Sequence, residues 1–174
     1  MTGPLHRPVD TRTLPVNGYD ETIVADEGER AALATANGIE AVEALSASIR
    51  VRDWNGEGVR VTGKLEAKVT QACSVTLEPV RSTIDEPIDA VFVPEGSNVD
   101  FLGSDGEILI DAEGEDAPES FHPPMLEVGA VVAEFLTLSL DPYPRAEGAE
   151  LPSAASDPAA SPFAGLAKLK DRSE

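Results

Sequence analysis

From Val59 to Leu77 the chain alternates between apolar and polar residues over an unusually long run. The odd positions carry Val59, Val61, Gly63, Leu65, Ala67, Val69, Gln71, Cys73, Val75 and Leu77, and the even ones between them are mostly charged or hydroxyl-bearing. Period-two alternation puts successive side chains on opposite faces of an extended strand, so this stretch predicts a strand with one buried and one wet face. Glu78-Pro79 closes it, because proline cannot donate to a ladder. Nineteen residues exceed the usual strand length, so the run is expected to bend or break, at Gly63 or near Gln71.

The elements around this strand follow from local chemistry. Residues 1–24 read as extended, because Pro4, Pro8 and Pro15 oppose an early helix, and Leu14, Val16 and Ile23 are the candidates for a sheet edge or loose packing. Asp26 to Asn37 reads as a short helix with a capping box formed by Asp26 and Glu29 and a stop at Gly38. Its apolar face is narrow, Leu33 with a few alanines. Leu45, Ala47, Ile49 and Val51 alternate with polar residues, and Asp53-Trp54-Asn55-Gly56 supplies a turn, so a hairpin joins this strand to the long one. Ile84, Ile88, Ala90 and Phe92 mark a third strand closed by Pro94, and Ile108-Leu109-Ile110 is a short run able to pair with it. Pro123-Pro124 is suited to open a second helix, whose broad face carries Leu126, Gly129, Val132, Ala133 and Leu136, flanked by Met125, Val128 and Phe135. Asp141-Pro142-Tyr143-Pro144 ends it.

The fold class expected is α+β: a bent antiparallel sheet, either open or curled toward a barrel, with two packed helices and a flexible C-terminal tail. At 174 residues this is a single domain over 1–145, a flexible linker over 146–161 rich in Ala, Ser, Pro and acid, and an amphipathic segment over 162–174. In that last segment Phe163, Leu166 and Leu169 stand at helical spacing beside Lys168, Lys170 and Arg172.

Charge bounds the partners. A net charge of −19 opposes contact with bare nucleic acid, where each phosphate contact needs a cation, and favours basic partners. Between Glu78 and Glu119 stand thirteen acidic residues and one basic residue, Arg81, a run that reads as a solvated face or as a docking surface for a basic protein. No apolar run reaches the length of a membrane span, no secretory leader is visible, and one cysteine permits no internal disulfide, so a cytoplasmic protein is expected.

Catalytic and metal chemistry find no set of residues, and no cofactor is expected. His6 lies in the N-terminal tail and His122 stands at a helix entry as a surface or capping residue. Cys73 would need a nearby base or a lowered pKa to act as a nucleophile, and its parity with Val69, Val75 and Leu77 makes it a buried structural thiol. Adjacent carboxylates carry little information among thirty-two acids. Trp54 sits at a turn, partly buried or available for contact, and Tyr143 with Arg145 is held between prolines as an anchor or a rigid helix exit.

Several blocks, in order, resemble a known family. Arg60 to Leu65 running into Gln71-Ala72-Cys73-Ser74-Val75-Thr76-Leu77-Glu78-Pro79-Val80 resembles the central signature of the YceD-like family in its alphaproteobacterial form. Asp111, Leu126 to Leu136 and Leu138 to Arg145 resemble its second signature, and Pro162 to Leu169 resembles the ending of many members. The resemblance, covering roughly residues 8–170, implies a non-enzymatic role in accumulation of large-subunit ribosomal RNA, hence ribosome assembly. Many members of the family it resembles are encoded beside a small basic large-subunit ribosomal protein. Some relatives carry two cysteines near the signature, where this chain has Cys73 alone.

Together these readings suggest a binding protein whose partner is a basic ribosomal protein or a pre-ribosomal particle, with any ribosomal RNA association indirect and no membrane involved. Glu78 and the acidic run would steer, and Trp54, Tyr143, Arg145, Phe163 and Leu166 would anchor. The alternative is direct RNA binding by a basic stripe of Arg50, Arg52, Arg60, Lys64 and Lys68 on the polar side of the hairpin, with Trp54 nearby. A processing enzyme is the weakest reading, for want of an acid–base or metal set.

Overall fold

The computed structural model describes residues 3–56, 58–97 and 118–150. Its elements are β1 (Pro8–Asp10), a single 3-10 turn (Thr11–Thr13), β2 (Tyr19–Val24), α1 (Glu27–Asn37), β3 (Ala41–Trp54), β4 (Gly58–Ala72), β5 (Pro79–Pro94), β6 (Glu119–Phe121), β7 (Met125–Glu127) and α2 (Val128–Leu138). The fold is α+β, as expected. The main sheet has the order β2-β3-β4-β5-β6, and β1 pairs with β7 in a second, two-stranded sheet. All pairings are antiparallel except β6, which runs parallel to β5. The described strands form an open sheet, not a closed barrel.

β4 is the central strand, and it is unbroken. It pairs along its whole length with β5, from Val59↔Phe92 to Ala72↔Pro79, and with β3 from Gly58↔Trp54 to Thr70↔Ala41. Val59, Val61, Leu65, Ala67 and Val69 are buried, facing Leu45, Ala47, Ile49, Val51, Ile84, Ile88 and Phe92 from the two neighbours. The expected break at Gly63 does not occur. Glycine is needed there for a different reason: a Cβ would stand 2.2 Å from the Ser48 carbonyl oxygen and 2.9 Å from the Ile49 Cα, so β3 passes too close for any side chain. The irregularity lies in β3, between Val42 and Ala44.

The strand ends one residue past Gln71, so the alternation of residues 73–77 belongs to a turn, not a strand. Parity fails there. Leu77 is 75% exposed with a φ of +63°, whereas Cys73 is fully buried. Pro79 opens β5, a strand position where the missing N–H is tolerated.

α1 forms as its caps dictate. The Asp26 carboxylate accepts from the Glu29 N–H and the Glu29 carboxylate accepts from the Asp26 N–H, while Gly38 closes the helix in the left-handed region at φ +63°. Leu33 and Ala34 are its buried residues. α2 starts later than the prolines suggest, at Val128. Residues 125–127 instead form β7 and pair with β1, with Val9 opposite Leu126, and the Val128 N–H donates to the Arg7 carbonyl. Long-range pairing there outweighs the preference of proline for a first helical turn. Val128, Gly129, Val131, Val132 and Leu136 are buried, while Met125 is exposed.

The N-terminal segment is a structural strap, so the tail assignment of His6 is corrected. Leu5 is fully buried. Arg7 forms a two-pronged ion pair with Glu29 of α1 at 2.7 and 3.1 Å, and its N–H donates to Glu127. His6 Nδ1 lies 2.7 Å from Glu127. The Arg7 guanidinium holds Glu29 below the usual carboxylate range. Of the candidates for a sheet edge or loose packing, Ile23 is buried in β2, Leu14 packs partly buried against the core, and Val16 is fully exposed.

α1 packs on β3 and α2 on β4 and β5, so among the described residues one sheet face is covered and the other is bare. The apolar run 108–110, residues 98–117 of the acidic run, and the linker and tail beyond residue 150 lie outside the described residues. Replacing Gly63 by alanine should push β3 and β4 apart. A loss of about 1–3 kcal/mol is expected by analogy with overpacked cores, measured as a lowered denaturant midpoint with an unchanged slope.

Candidate functional site

The bare sheet face gathers all five residues of the predicted basic stripe. Because β3 and β4 are antiparallel, Arg52 stands opposite Arg60, Arg50 opposite Thr62, Ser48 opposite Lys64 and Ala44 opposite Lys68. All five side chains alternate with the buried set. The same ladders, however, bring carboxylates between them. Asp20 of β2 faces Arg50, Asp89 of β5 faces Thr62, and Asp85 faces Glu66. Arg60 makes a bidentate pair with Asp89 at 2.7 and 2.8 Å, Arg50 a bidentate pair with Asp20, and Lys64 reaches Glu66 at 2.9 Å and Asp85 at 3.0 Å. The hydrogen bond from Arg50 holds Asp20 below its ordinary pKa, and that from Arg60 does the same for Asp89. Only Arg52 and Lys68 of the five lack a side-chain ion pair among the described residues. Exposed pairs of this kind contribute little to stability. Their effect is to cancel the local field, so a phosphate approaching this face would compete with carboxylates already in place.

At one end of the sheet the β4–β5 turn meets the chain leaving α2. The Ser74 N–H donates to the Pro144 carbonyl at 2.7 Å, and Gln71 Nε2 donates to the Asp141 carbonyl at 2.9 Å. The Asp141 carboxylate accepts from the Tyr143 N–H at 2.8 Å, fixing the exit itself. Cys73 sits at the centre. Its Sγ accepts from the N–H groups of Ala146 at 3.3 Å and of Val75 and Thr76 at 3.4 Å, while its own N–H donates to the Glu78 carbonyl. These donors favour the thiolate. The Ala146 N–H contributes most, followed by the Thr76 side chain and the Thr76 and Val75 N–H groups, and together they lower the thiol pKa to about 6. The expectation of a buried cysteine holds, but its surroundings are polar backbone, not the apolar parity face.

This end therefore carries two of the predicted anchors, Tyr143 and Arg145, together with the predicted steering residue Glu78. Tyr143 is 74% exposed, and Arg145 and Glu78 are exposed beside it, as is Leu77. Trp54 is not part of the group. It is half-buried at the β3–β4 hairpin, the opposite end of the same strands, where the Asp53 carboxylate accepts from the Gly56 N–H. Phe163 and Leu166 lie outside the described residues. His122 is on the surface, paired with Glu95 at 3.0 Å. Sequence reasoning did not anticipate the Cys73–Ala146 and Ser74–Pro144 contacts. They join residues some seventy positions apart, and no periodicity marks them.

Among the described residues no group of three or more His, Cys, Asp or Glu side chains is arranged to hold a metal ion, and no helix is long and apolar enough to cross a membrane. A sequence model of the family described as large ribosomal RNA subunit accumulation protein YceD matches residues 61–170. No curated protein and no solved structure matches the chain.

The Cys73 environment makes stability depend on pH. The folded pKa, about 6, lies below the usual thiol value, so the thiolate contribution is complete above the unfolded pKa near 9 and is lost as pH falls toward 6. Stability of the natural chain relative to Cys73→Ser should rise between pH 6 and pH 9, checked by denaturant melts across that window, with thiolate absorbance titrating near 6.

Proposed function

The chain belongs to the YceD family of large ribosomal RNA subunit accumulation proteins, and on that premise we propose that it promotes ribosomal RNA accumulation by holding a basic ribosomal protein or other basic assembly partner. The observation that carries this reading is the state of the cations on the bare sheet face. Arg50, Arg60 and Lys64 are engaged by Asp20, Asp89, Glu66 and Asp85 in a chain whose net charge is −19. A surface so neutralised gains little counterion release on RNA. A basic protein, in contrast, is attracted over long range by the net charge and can be handed to RNA when phosphates outcompete the carboxylates.

In this reading the contact is built at the β4–β5 turn. Tyr143 is the anchor, with two torsions and a broad face at low entropic cost. Leu77 adds apolar area and Glu78 supplies charge. Arg145 orients an acidic group of the partner. The role is binding, not catalysis, and the protein works in the cytoplasm where ribosomes assemble.

The second reading, direct RNA binding, draws on the clustering of five cations on one face. The two separate cleanly. The purified full-length chain is titrated against basic large-subunit ribosomal proteins and, separately, against protein-free large-subunit ribosomal RNA, at low and high salt. Salt-sensitive binding to a ribosomal protein, weakened about tenfold by Tyr143→Ala, is expected. Binding to bare RNA that Arg52→Glu and Lys68→Glu abolish, with no ribosomal protein bound, would replace this function with the RNA-binding one.

A further inference from the structure

α1 does not lie flat on the sheet at its outer flank. After the Gly38 stop, the Ile39 N–H returns to the Ala34 carbonyl and the Glu40 N–H donates to Thr70 of β4, which leaves a groove between α1 and the first residues of β3. This groove, ≈ 460 Å³, has a floor of Ala31, Ala34, Ile39 and Val42 and a rim that includes Glu27, Glu40 and Glu43. Arg30 also lines it, its guanidinium turned to the Ala25 carbonyl at 2.8 Å, and Glu43 is shared with Thr70 and Arg81. On the other side of Ile39 lies a second depression, ≈ 530 Å³, lined by Ala36, Ile39, Ala72, Leu140, Pro142 and Pro144 among others. Ile39 belongs to both. The result is a trough of mixed lining, with apolar side chains running through Ile39, polar ones at Thr35, Asn37, Gln71 and Thr137, and glutamates at one end, beginning where the chain leaves α2.

An occupant must be apolar on one side and cationic on the other. The chain itself contains such a segment. Residues 162–172 carry Phe163, Leu166 and Leu169 at intervals of three, with Lys168, Lys170 and Arg172. Reach is not limiting. Pro142 and Pro144 already line the trough, the last described residue is Glu150, and the twelve residues before Phe163 can span roughly 40 Å when extended. A tether of this length gives an effective concentration on the order of millimolar, so weak contacts suffice. The family match, residues 61–170, also runs through this segment and does not stop at the last described element.

We propose that residues 162–172 dock within the same molecule across Ile39, with Phe163, Leu166 and Leu169 in the two depressions and Lys168, Lys170 and Arg172 toward Glu27, Glu40 and Glu43. The segment is then a resident ligand of the domain. The proposal does not depend on which partner the protein carries.

The test places the photo-crosslinking residue p-benzoylphenylalanine at Leu166 of the full-length chain, in an equal mixture of isotopically heavy and light copies, and maps crosslinks by mass spectrometry. Crosslinks to residues 31–43 within one copy are expected. They should fall several-fold in Glu27→Lys/Glu40→Lys/Glu43→Lys and return when Lys168→Glu/Lys170→Glu/Arg172→Glu is added. Should the charge-reversed chain fail to fold, raising the salt concentration on the unmutated charge set is the second readout, and the same fall is expected. Crosslinks scattered over the surface, or concentrated on the bare sheet face, overturn the proposal. So do crosslinks found only between heavy and light copies, which assign the trough to a second molecule, and groove crosslinks indifferent to charge reversal and salt.

Discussion

The structure depends on one constraint: β4, hydrogen-bonded on both sides, must bury its odd-numbered face and wet its even-numbered face from Val59 to Val69, Gly63 being the one odd position left half-buried. A strand paired with two neighbours cannot rotate to relieve a mismatch, since a slip of one residue would exchange the two faces. Val61 and Leu65 are therefore fully buried while Lys64 and Glu66 stand in water one residue away. The helices answer this constraint. α1 and α2 cover the inner face because β3, β4 and β5 present it as one aliphatic surface, and aromatic residues have little part in it beyond Phe92 and Phe121.

The wet face follows from the same pairing. Cross-strand neighbours on one face lie within about 5 Å of each other. Charges placed there must alternate in sign or repel. Two like pairs do stand opposite one another, Arg52 with Arg60 and Glu66 with Asp85, but Asp89 pairs with Arg60 and Lys64 reaches both Glu66 and Asp85, so a strongly acidic protein presents a locally balanced sheet. The unbalanced acid lies elsewhere, including the rim beside α1. That separation lets one small domain combine a neutral face with an acidic groove.

The segments that enter and leave the described core are held by opposite means. At the start, Leu5 is buried and Arg7 joins α1 to the entry of α2 through Glu29 and Glu127. At the exit from α2, backbone groups do the holding: Cys73, Ser74 and Gln71 at the end of β4 receive Ala146, Pro144 and Asp141. The segment bearing Tyr143 is thereby fixed in direction while its ring stays in solvent. A contact residue so arranged needs little further ordering when a partner arrives.

The sequence by itself determined what neighbours in the chain can decide. The alternation of β4, the capping box of α1 and the Gly38 stop are set by interactions between residues two to four positions apart, and each could be read directly. The family signature was legible for the same reason, as contiguous blocks. Tertiary structure alone decided where long-range pairing competes with local preference. Residues 125–127 became a strand because β1 needed a partner, although the prolines before them suit a helix start. Leu77 left the apolar parity because the turn to β5 needed its left-handed backbone. The basic stripe was foreseen, but its neutralisation was not, since Asp20 and Asp89 lie about thirty residues from Arg50 and Arg60 and reach them only through the strand register. Contacts of that separation leave no period in the sequence. They exist once the sheet has chosen its order.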